Sequence, residues 1–250
     1  MNANAPLLEL EGVSKSFGPV QALSEVDFEL RSGEVVALVG DNGAGKSTLV
    51  KTIAGIHPAD SGRILFEGKE VHIARPTDAT ELGIATVYQD LALCDNLDVV
   101  ENLFLGQELG TLALDETSME KRTGELLQRL AVTIVNLRAE VGTLSGGQRQ
   151  QVAIARSLLG APKIVILDEP TAALGVRQTR MVLDLVERLG DEGHGVLLIS
   201  HNLADVFAVA DRIFVLRLGR KAGDFPARAT RQEEVVAAIV GAGATSGGGR

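Results

Sequence analysis

The chain of 250 residues carries a net charge of −9, with 45% hydrophobic and only 3% aromatic residues. That length fits one large domain or two small ones with a sizeable core, and an acidic chain without a Lys/Arg stripe is a poor electrostatic partner for nucleic acid. The single cysteine, Cys94, excludes an intrachain disulfide and suits a reducing compartment.

No apolar run approaches the ~20 residues that cross a bilayer, and "MNANAPLLELEG" lacks the basic and apolar regions of a signal peptide. Work at a membrane would therefore go through a partner. In chain order, "LLELEGV" and "VDFEL" read as early strands, the second with alternating apolar positions. "EVVALVG" reads as a buried strand ending on glycine. "KSTLVKTIAGI" follows as a helix, with Leu49, Ile53 and Ile56 at helical spacing and Pro58 as its stop. "GRILFEG" and "IATVYQ" read as further strands, and residues 97–140 as mostly helical. From 145 come a helix, the strand "KIVILDEP", a helix near 176–190 and the strand "GVLLIS". "DRIFVLRLGRKAG" reads as a hairpin and 231–240 as a final helix. The alternation predicts an α/β domain with a mainly parallel sheet over residues 1–240. A helical block at about 92–160 interrupts it and reads as an inserted subdomain. The Gly/Ser-rich tail at 241–250 reads as flexible. There is no internal repeat.

Gly40–Ser47 matches G-x-x-x-x-G-K-[ST] between a strand and a helix. Glycines 40, 43 and 45 let backbone N–H groups, with those of Asn42, Ala44 and Thr48 nearby, turn toward phosphate oxygens. Lys46 would reach the β- and γ-phosphates, Ser47 would ligand Mg²⁺, and the helix adds its positive end. In "IVILDEP" an apolar strand ends on Asp168, placed to help hold Mg²⁺, and Glu169, placed to orient and deprotonate water. Gln89, after "IATVY", is a candidate contact to metal and water. His201, after "GVLLIS", is a candidate donor to the γ-phosphate. Each of the two is weak alone; both end strands on the ligand side.

"LSGGQ" at 144–148 is a second candidate anion loop. Ser145 and Gln148 have capping-box spacing. Gly146 and Gly147 cost about 1 kcal/mol each relative to alanine inside a helix, which points to close backbone approach. One nucleotide's phosphates are already served by the first loop. The economical reading is that Ser145, Gly146, Gly147 and Gln148 grip the ATP of another subunit, so that two chains meet head to tail around two ATP molecules.

In this order, "GDNGAGKST", Gln89, "LSGGQ", "ILDEP" and His201 resemble the ATP-binding cassette (ABC) ATPases, over nearly the whole chain to about residue 240. The resemblance implies a P-loop NTPase core with an N-terminal antiparallel β region and an inserted α-helical subdomain facing a membrane partner. It also implies ATP and Mg²⁺ as ligands, and Phe17 as the aromatic that stacks on adenine; a core Phe is the alternative. "GIATVYQDLALCDNLDVVENLFLG" and "DEPTAAL" look like the ATPases of bacterial monosaccharide importers, most of all single-cassette, fructose-type members. The partners then implied are a second copy of the chain, transmembrane permease subunits and, indirectly, an extracytoplasmic sugar-binding protein, at the cytoplasmic face of the membrane. Export of another solute and a soluble, non-transport ATPase remain alternatives. One departure stands out: many family members read S-A-L-D where this chain reads "AALG" at 172–175. Gly175 is expected to lie at the subunit interface with its backbone free to take φ > 0.

Overall fold

The computed structural model describes residues 5–110 and 113–242. Two sheets organise them. Strands β1 (Leu8–Phe17), β2 (Val20–Leu30), β4 (Ser61–Phe66) and β5 (Lys69–Val71) form an antiparallel sheet in the order β2-β1-β4-β5. The second sheet joins β3 (Val35–Val39), β6 (Ile84–Val87), β7 (Ile164–Asp168), β8 (Gly195–Ile199), β9 (Arg212–Arg217) and β10 (Arg220–Pro226) in the order β10-β9-β3-β8-β7-β6. Only β10 runs antiparallel in it.

The unbroken apolar runs of β3, β7 and β8 follow from cover on both faces. Ile164 and Ile166 of β7 join a core with Val36, Leu38, the antiparallel sheet and helix α1 (Lys46–Ile53). The alternate residues Val165 and Leu167 face a second core, shared with α5 (Gly146–Ser157) and α6 (Val176–Asp191). Ala37, Val39, Ile213 and Val215 meet α7 (Leu203–Val209) and α8 (Gln232–Val240) in a third. Between them lie α2 (Pro76–Glu81), α3 (Val99–Phe104) and α4 (Glu116–Arg129). Because β3, β8, β7 and β6 are parallel neighbours, their carboxyl ends line one edge. That edge carries the loop from Gly40, His201, Asp168 with Glu169, and Gln89.

Several local features depart from the sequence reading. β1 and β2 run together to a tight turn, with Phe17 opposite Val20; the polar residues 14–16 hid this extension. β5 and α2 are too short for periodicity to register. The stretch 97–140 is less helical than its pattern suggests: α3 and α4 contribute 6 and 14 residues, and irregular chain joins them. The helical block has no core of its own, because Val99, Leu103, Phe104 and Met119 pack in one cluster with Val165, Leu167 and Val182. The tail reading at 241–250 lies outside the described residues from 243 onward.

Asn102 of α3 ties the block's entry segment together. It is fully buried. Its Nδ2 donates to the carbonyls of Cys94, Leu97 and Asp98 at 3.0, 3.1 and 2.9 Å, and its Oδ1 accepts from the Cys94 N–H at 2.8 Å. Asn102→Ala leaves the Cys94 N–H unpaired, whereas the three carbonyls keep the N–H donors of Leu97, Val141 and residue 102 itself. It is expected to destabilise the chain by about 1–3 kcal/mol, lowering the thermal midpoint by roughly 2–12 °C. A melting curve within about 2 °C of the parent, less than 1 kcal/mol on that scale, contradicts this account.

Candidate active site

The loop after β3 depends on backbone that only glycine can provide. Gly40 takes φ 153°, and a Cβ there would lie 2.2 Å from the Leu216 carbonyl oxygen; Gly45 takes φ 105°, with the Ala22 oxygen at 2.7 Å. The walls come from the other sheet and from the β9–β10 turn, where the Gly219 N–H donates to the Ala44 oxygen at 2.9 Å and the Gly219 oxygen accepts from the Ser24 N–H at 2.8 Å. Asn42, Gly43, Ala44, Gly45, Lys46, Ser47 and Thr48 line a cleft of about 440 Å³. Helix α1 starts at Gly45 without a side-chain cap, so its first-turn N–H groups are free to meet an anion. Lys46 is folded back, its Nζ donating to the Gly40 and Asp41 carbonyls at 2.7 and 3.1 Å.

At the ends of β7 and β8 the second cluster forms. Glu169 holds φ 51°, a left-handed conformation that a residue with a side chain adopts only when its surroundings enforce it. The Glu169 N–H donates to the Ile199 oxygen at 3.0 Å, and Glu169 Oε2 lies 2.7 Å from His201 Nδ1. The carboxylate side chain is 17% exposed and the imidazole 73%. His201 thus holds the carboxylate with Nδ1 and presents Nε2 outward. A second bond runs beside the first: Thr171 Oγ1 donates to Asp205 Oδ2 at 2.7 Å, and Asp205 is buried in α7. Sequence reasoning missed this pair. The signal was available in "LADVFAV", where a carboxylate interrupts an apolar helix one turn after His201.

Burial, and then the charge of Glu169, push the Asp168 carboxyl above its ordinary 3.8, against the pull of Lys46 and Lys51. Asp168 also lies close enough to Tyr88 for its charge to add to the burial that raises the phenol. The junction Tyr88–Gln89 therefore adjoins the carboxylates, with Gln89 exposed. Phe17 is 43% exposed rather than core. Its ring meets His57 edge-on at 5.0 Å, and Lys15 Nζ lies 5.7 Å from its centroid.

The Ser145 cap is formed as its spacing predicts: Ser145 Oγ accepts from the Gln148 N–H at 3.3 Å, and Gln148 Oε1 accepts from the Ser145 N–H at 3.1 Å. The need for close approach has a cause within the chain. A Cβ on Gly147 would lie 2.9 Å from Gln178 Cβ, and one on Gly146 3.1 Å from Leu174 Cδ2. The cap thus packs on the start of α6, with Ser145 itself exposed. Gly175 corrects an expectation: its φ is −74°, ψ 162°, so it uses no left-handed freedom. It is the N-cap of α6, and its N–H donates to Gln178 Oε1 at 3.1 Å.

Among the described residues no group of three or more His, Cys, Asp or Glu forms a metal cluster. The residues present nevertheless fit Mg²⁺. Asp168 and Glu169 are adjacent carboxylates whose repulsion a divalent cation relieves, and Ser47, Gln89 and Asp168 are oxygen donors of the kind Mg²⁺ takes beside substrate phosphates.

Residues 23–172 match the family described as ABC transporter. The chain is 49% identical over 215 residues to the xylose/arabinose import ATP-binding protein XylG of Sulfolobus acidocaldarius, covering 86% of each chain. It is 46% identical over 228 residues to the fructose import ATP-binding protein FrcA of Rhizobium meliloti, covering 88% of each. An ATP-binding cassette of an ABC transporter in its ADP conformation superimposes with a TM-score of 0.82 at 28% identity, over 95% of this chain and 96% of that one. A dimeric cassette in a post-hydrolysis state with ADP and Pi gives 0.74 at 26% identity, over 88% and 99%. The site and the fold thus define an ATP-hydrolysing P-loop protein. The chain belongs to the ATP-binding cassette family of ABC transporters, with ATP and Mg²⁺ as its ligands.

Two predictions follow from this geometry. Above pH 3.8 a raised Asp168 pKa makes the folded chain hold more protons than the unfolded one, so this group's contribution to stability falls as pH rises through that window. Asp168→Asn should abolish hydrolysis yet raise the nucleotide-free melting temperature at pH 7 by up to about 4 °C, since a half-exposed carboxylate is worth under about 1 kcal/mol. The gain should vanish toward pH 4, and a gain independent of pH contradicts the assignment. At Gly175, an N-cap where a Cβ would meet Gln178 Oε1 at an ordinary contact distance of 3.8 Å, aspartate should stabilise by a few tenths of a kcal/mol whereas alanine should cost up to about 1 kcal/mol. Denaturant unfolding of the two variants checks the order, and Asp below Ala overturns it.

Proposed function

We propose that this chain is the ATP-hydrolysing subunit of a bacterial monosaccharide importer and that it works as a head-to-tail homodimer. The observation that carries the reading is the exposed Ser145 cap, held in a fixed conformation against its own α6 while the phosphate loop lies at the end of β3. The printed names of the relatives, importers of xylose/arabinose and of fructose, favour a monosaccharide.

In this mechanism Lys46 leaves the Gly40 and Asp41 carbonyls for the β- and γ-phosphates of ATP, while N–H groups of Gly43–Thr48 hold the remaining oxygens. Ser47, Asp168 and Gln89 would hold Mg²⁺, which neutralises phosphate charge. Phe17 stacks on the base. Glu169 orients a water and takes its proton as the water oxygen bonds to the γ-phosphorus. The bond from that phosphorus to the bridging oxygen breaks, and the oxygen leaves on ADP. His201, which meets Glu169 through Nδ1, leaves it to donate an N–H to a γ-phosphate oxygen. Ser145, Gly147 and Gln148 of the opposite copy close over the same phosphate. Positioned donors of this kind are worth about 3–4 kcal/mol each.

No helix among the described residues is long and apolar enough to cross a membrane. Transport would therefore be delivered to transmembrane permease subunits at the cytoplasmic face, with an extracytoplasmic binding protein supplying the sugar. We place the permease contact at the groove of about 430 Å³ between α2, β6 and the helical block, lined by Tyr88, Leu91, Leu105 and Gln107. It joins the γ-phosphate-sensing junction to a half-exposed apolar side chain, Leu105.

Glu169→Gln should slow hydrolysis by about 10²–10⁴-fold while leaving ATP affinity intact, so that an ATP-dependent dimer accumulates. Size-exclusion chromatography with ATP and Mg²⁺ reads this directly. A chain that stays monomeric at saturating ATP counts against the role of the Ser145 cap on a second subunit.

A further inference from the structure

Asp60 lies between α1 and β4, far along the chain from Phe17, yet it bonds to the end of the strand that carries this ring. Its Oδ1 accepts from Lys15 Nζ at 2.7 Å, and its Oδ2 accepts from the Ser16 N–H at 2.7 Å. Its own N–H donates to the Ser14 oxygen at 2.9 Å. One residue thus gathers 14, 15 and 16, the three positions before Phe17. The Lys15 ammonium, and then the Ser16 N–H, hold the Asp60 carboxyl below its ordinary 3.8.

The regular ladder gives this corner little support. The register of β1 against β2 shifts between Val13 and Lys15 and again between Lys15 and Ser16, and the pairing of β1 with β4 ends at Ser14–Ser61. Past that pair the Asp60 carboxylate stands in for the neighbouring strand as acceptor of the Ser16 N–H, through a charge-assisted bond stronger than a neutral ladder bond. The same segment supplies a neighbour of the ring itself, since His57 meets Phe17 edge-on. The N–H groups of Ile56 and His57 donate to the Lys51 oxygen at 2.8 and 3.2 Å, and Lys51 lies in the last turn of α1. One helix therefore serves both ends of the cleft. Its first turn follows the phosphate loop, and its last turn holds the segment that fixes Phe17. Helix α1 has 8 residues, a span of about 12 Å. Asp60 is no part of the cleft wall.

We propose that Asp60 is a positioning residue for nucleotide binding: by tying the backbone before Phe17 to the segment that follows α1, it aims the ring and sets the spacing between the base and phosphate subsites. The proposal rests on the reading of Phe17 as the residue that stacks on the base. It assigns to Asp60 no contact with nucleotide.

The test compares the parent chain, Phe17→Ala, Asp60→Ala and the double variant by titration calorimetry with Mg-ADP and by ATPase kinetics. Phe17→Ala should weaken Mg-ADP binding by about 5–150-fold, the range of one base–aromatic stack. Asp60→Ala should weaken it by at least about 2-fold and by no more than Phe17→Ala does. The double variant should bind as Phe17→Ala does, because a carboxylate that acts through the ring has nothing to position once the ring is gone. In Asp60→Ala the KM for ATP should rise while kcat changes by less than about 2-fold, as when binding is lost equally from ground state and transition state. A merely structural role would weaken binding in both backgrounds alike and lower kcat with it. Unchanged Mg-ADP affinity in Asp60→Ala overturns the proposal, as do losses that multiply in the double variant or a fall in kcat as large as the rise in KM. Failure of the stacking reading shows separately, as Phe17→Ala binding Mg-ADP like the parent.

Discussion

The alignment of four parallel strand ends is the constraint on which the rest depends. β3, β8, β7 and β6 are hydrogen-bonded neighbours in that order, so the residues that follow each of them arrive at one edge without further contrivance of the chain. Strand spacing of about 4.8 Å then places a lysine loop, a histidine, a carboxylate pair and a glutamine within reach of one polyphosphate. The register is enforced by the cores on the two faces of the sheet, since slipping any of these buried strands by one residue would exchange its two apolar faces. The chemistry inherits its precision from packing some distance away.

Charge is organised against the bulk trend. In the proposed mechanism a chain with net charge −9 would bind a polyanion through backbone dipoles and one lysine rather than through a basic surface, so the attraction would be short-ranged and confined to the cleft. The adjacent carboxylates raise the local negative potential, and burial intensifies it. An unsatisfied electrostatic arrangement at the strand ends makes nucleotide together with cation the natural complement of the site, where neither partner alone would suit it.

Much of this was legible in the sequence, for identifiable reasons. Long apolar runs announced β3, β7 and β8, and glycines with lysine and serine announced the loop that follows β3. The Ser145–Gln148 cap was readable because a capping box is local. The contacts that escaped are those joining distant segments: Asp205 to Thr171, Arg156 to Leu91 and Ala92, and Gly219 to Ala44. No spacing rule relates such positions. The φ of Gly175 was misjudged for a related reason: glycine permits the left-handed region without requiring it, and at this position a helix start asks for extended backbone. The glycines of the cap were read for a partner's phosphate, whereas Gly147 also clears Gln178 of its own chain.

The helical block shares a hydrophobic cluster with the central sheet instead of enclosing its own. Val99, Leu103 and Phe104 belong to one buried cluster with side chains of α5, β7 and α6, and close-packed interiors deform poorly. Any reorientation of the block is then a sliding of interdigitated surfaces between a few discrete fits, not a swing about a soft connection. A cassette built this way behaves as a detent mechanism: intermediate positions are poorly packed and briefly occupied, so a small pull at one edge is delivered as a full step or withheld.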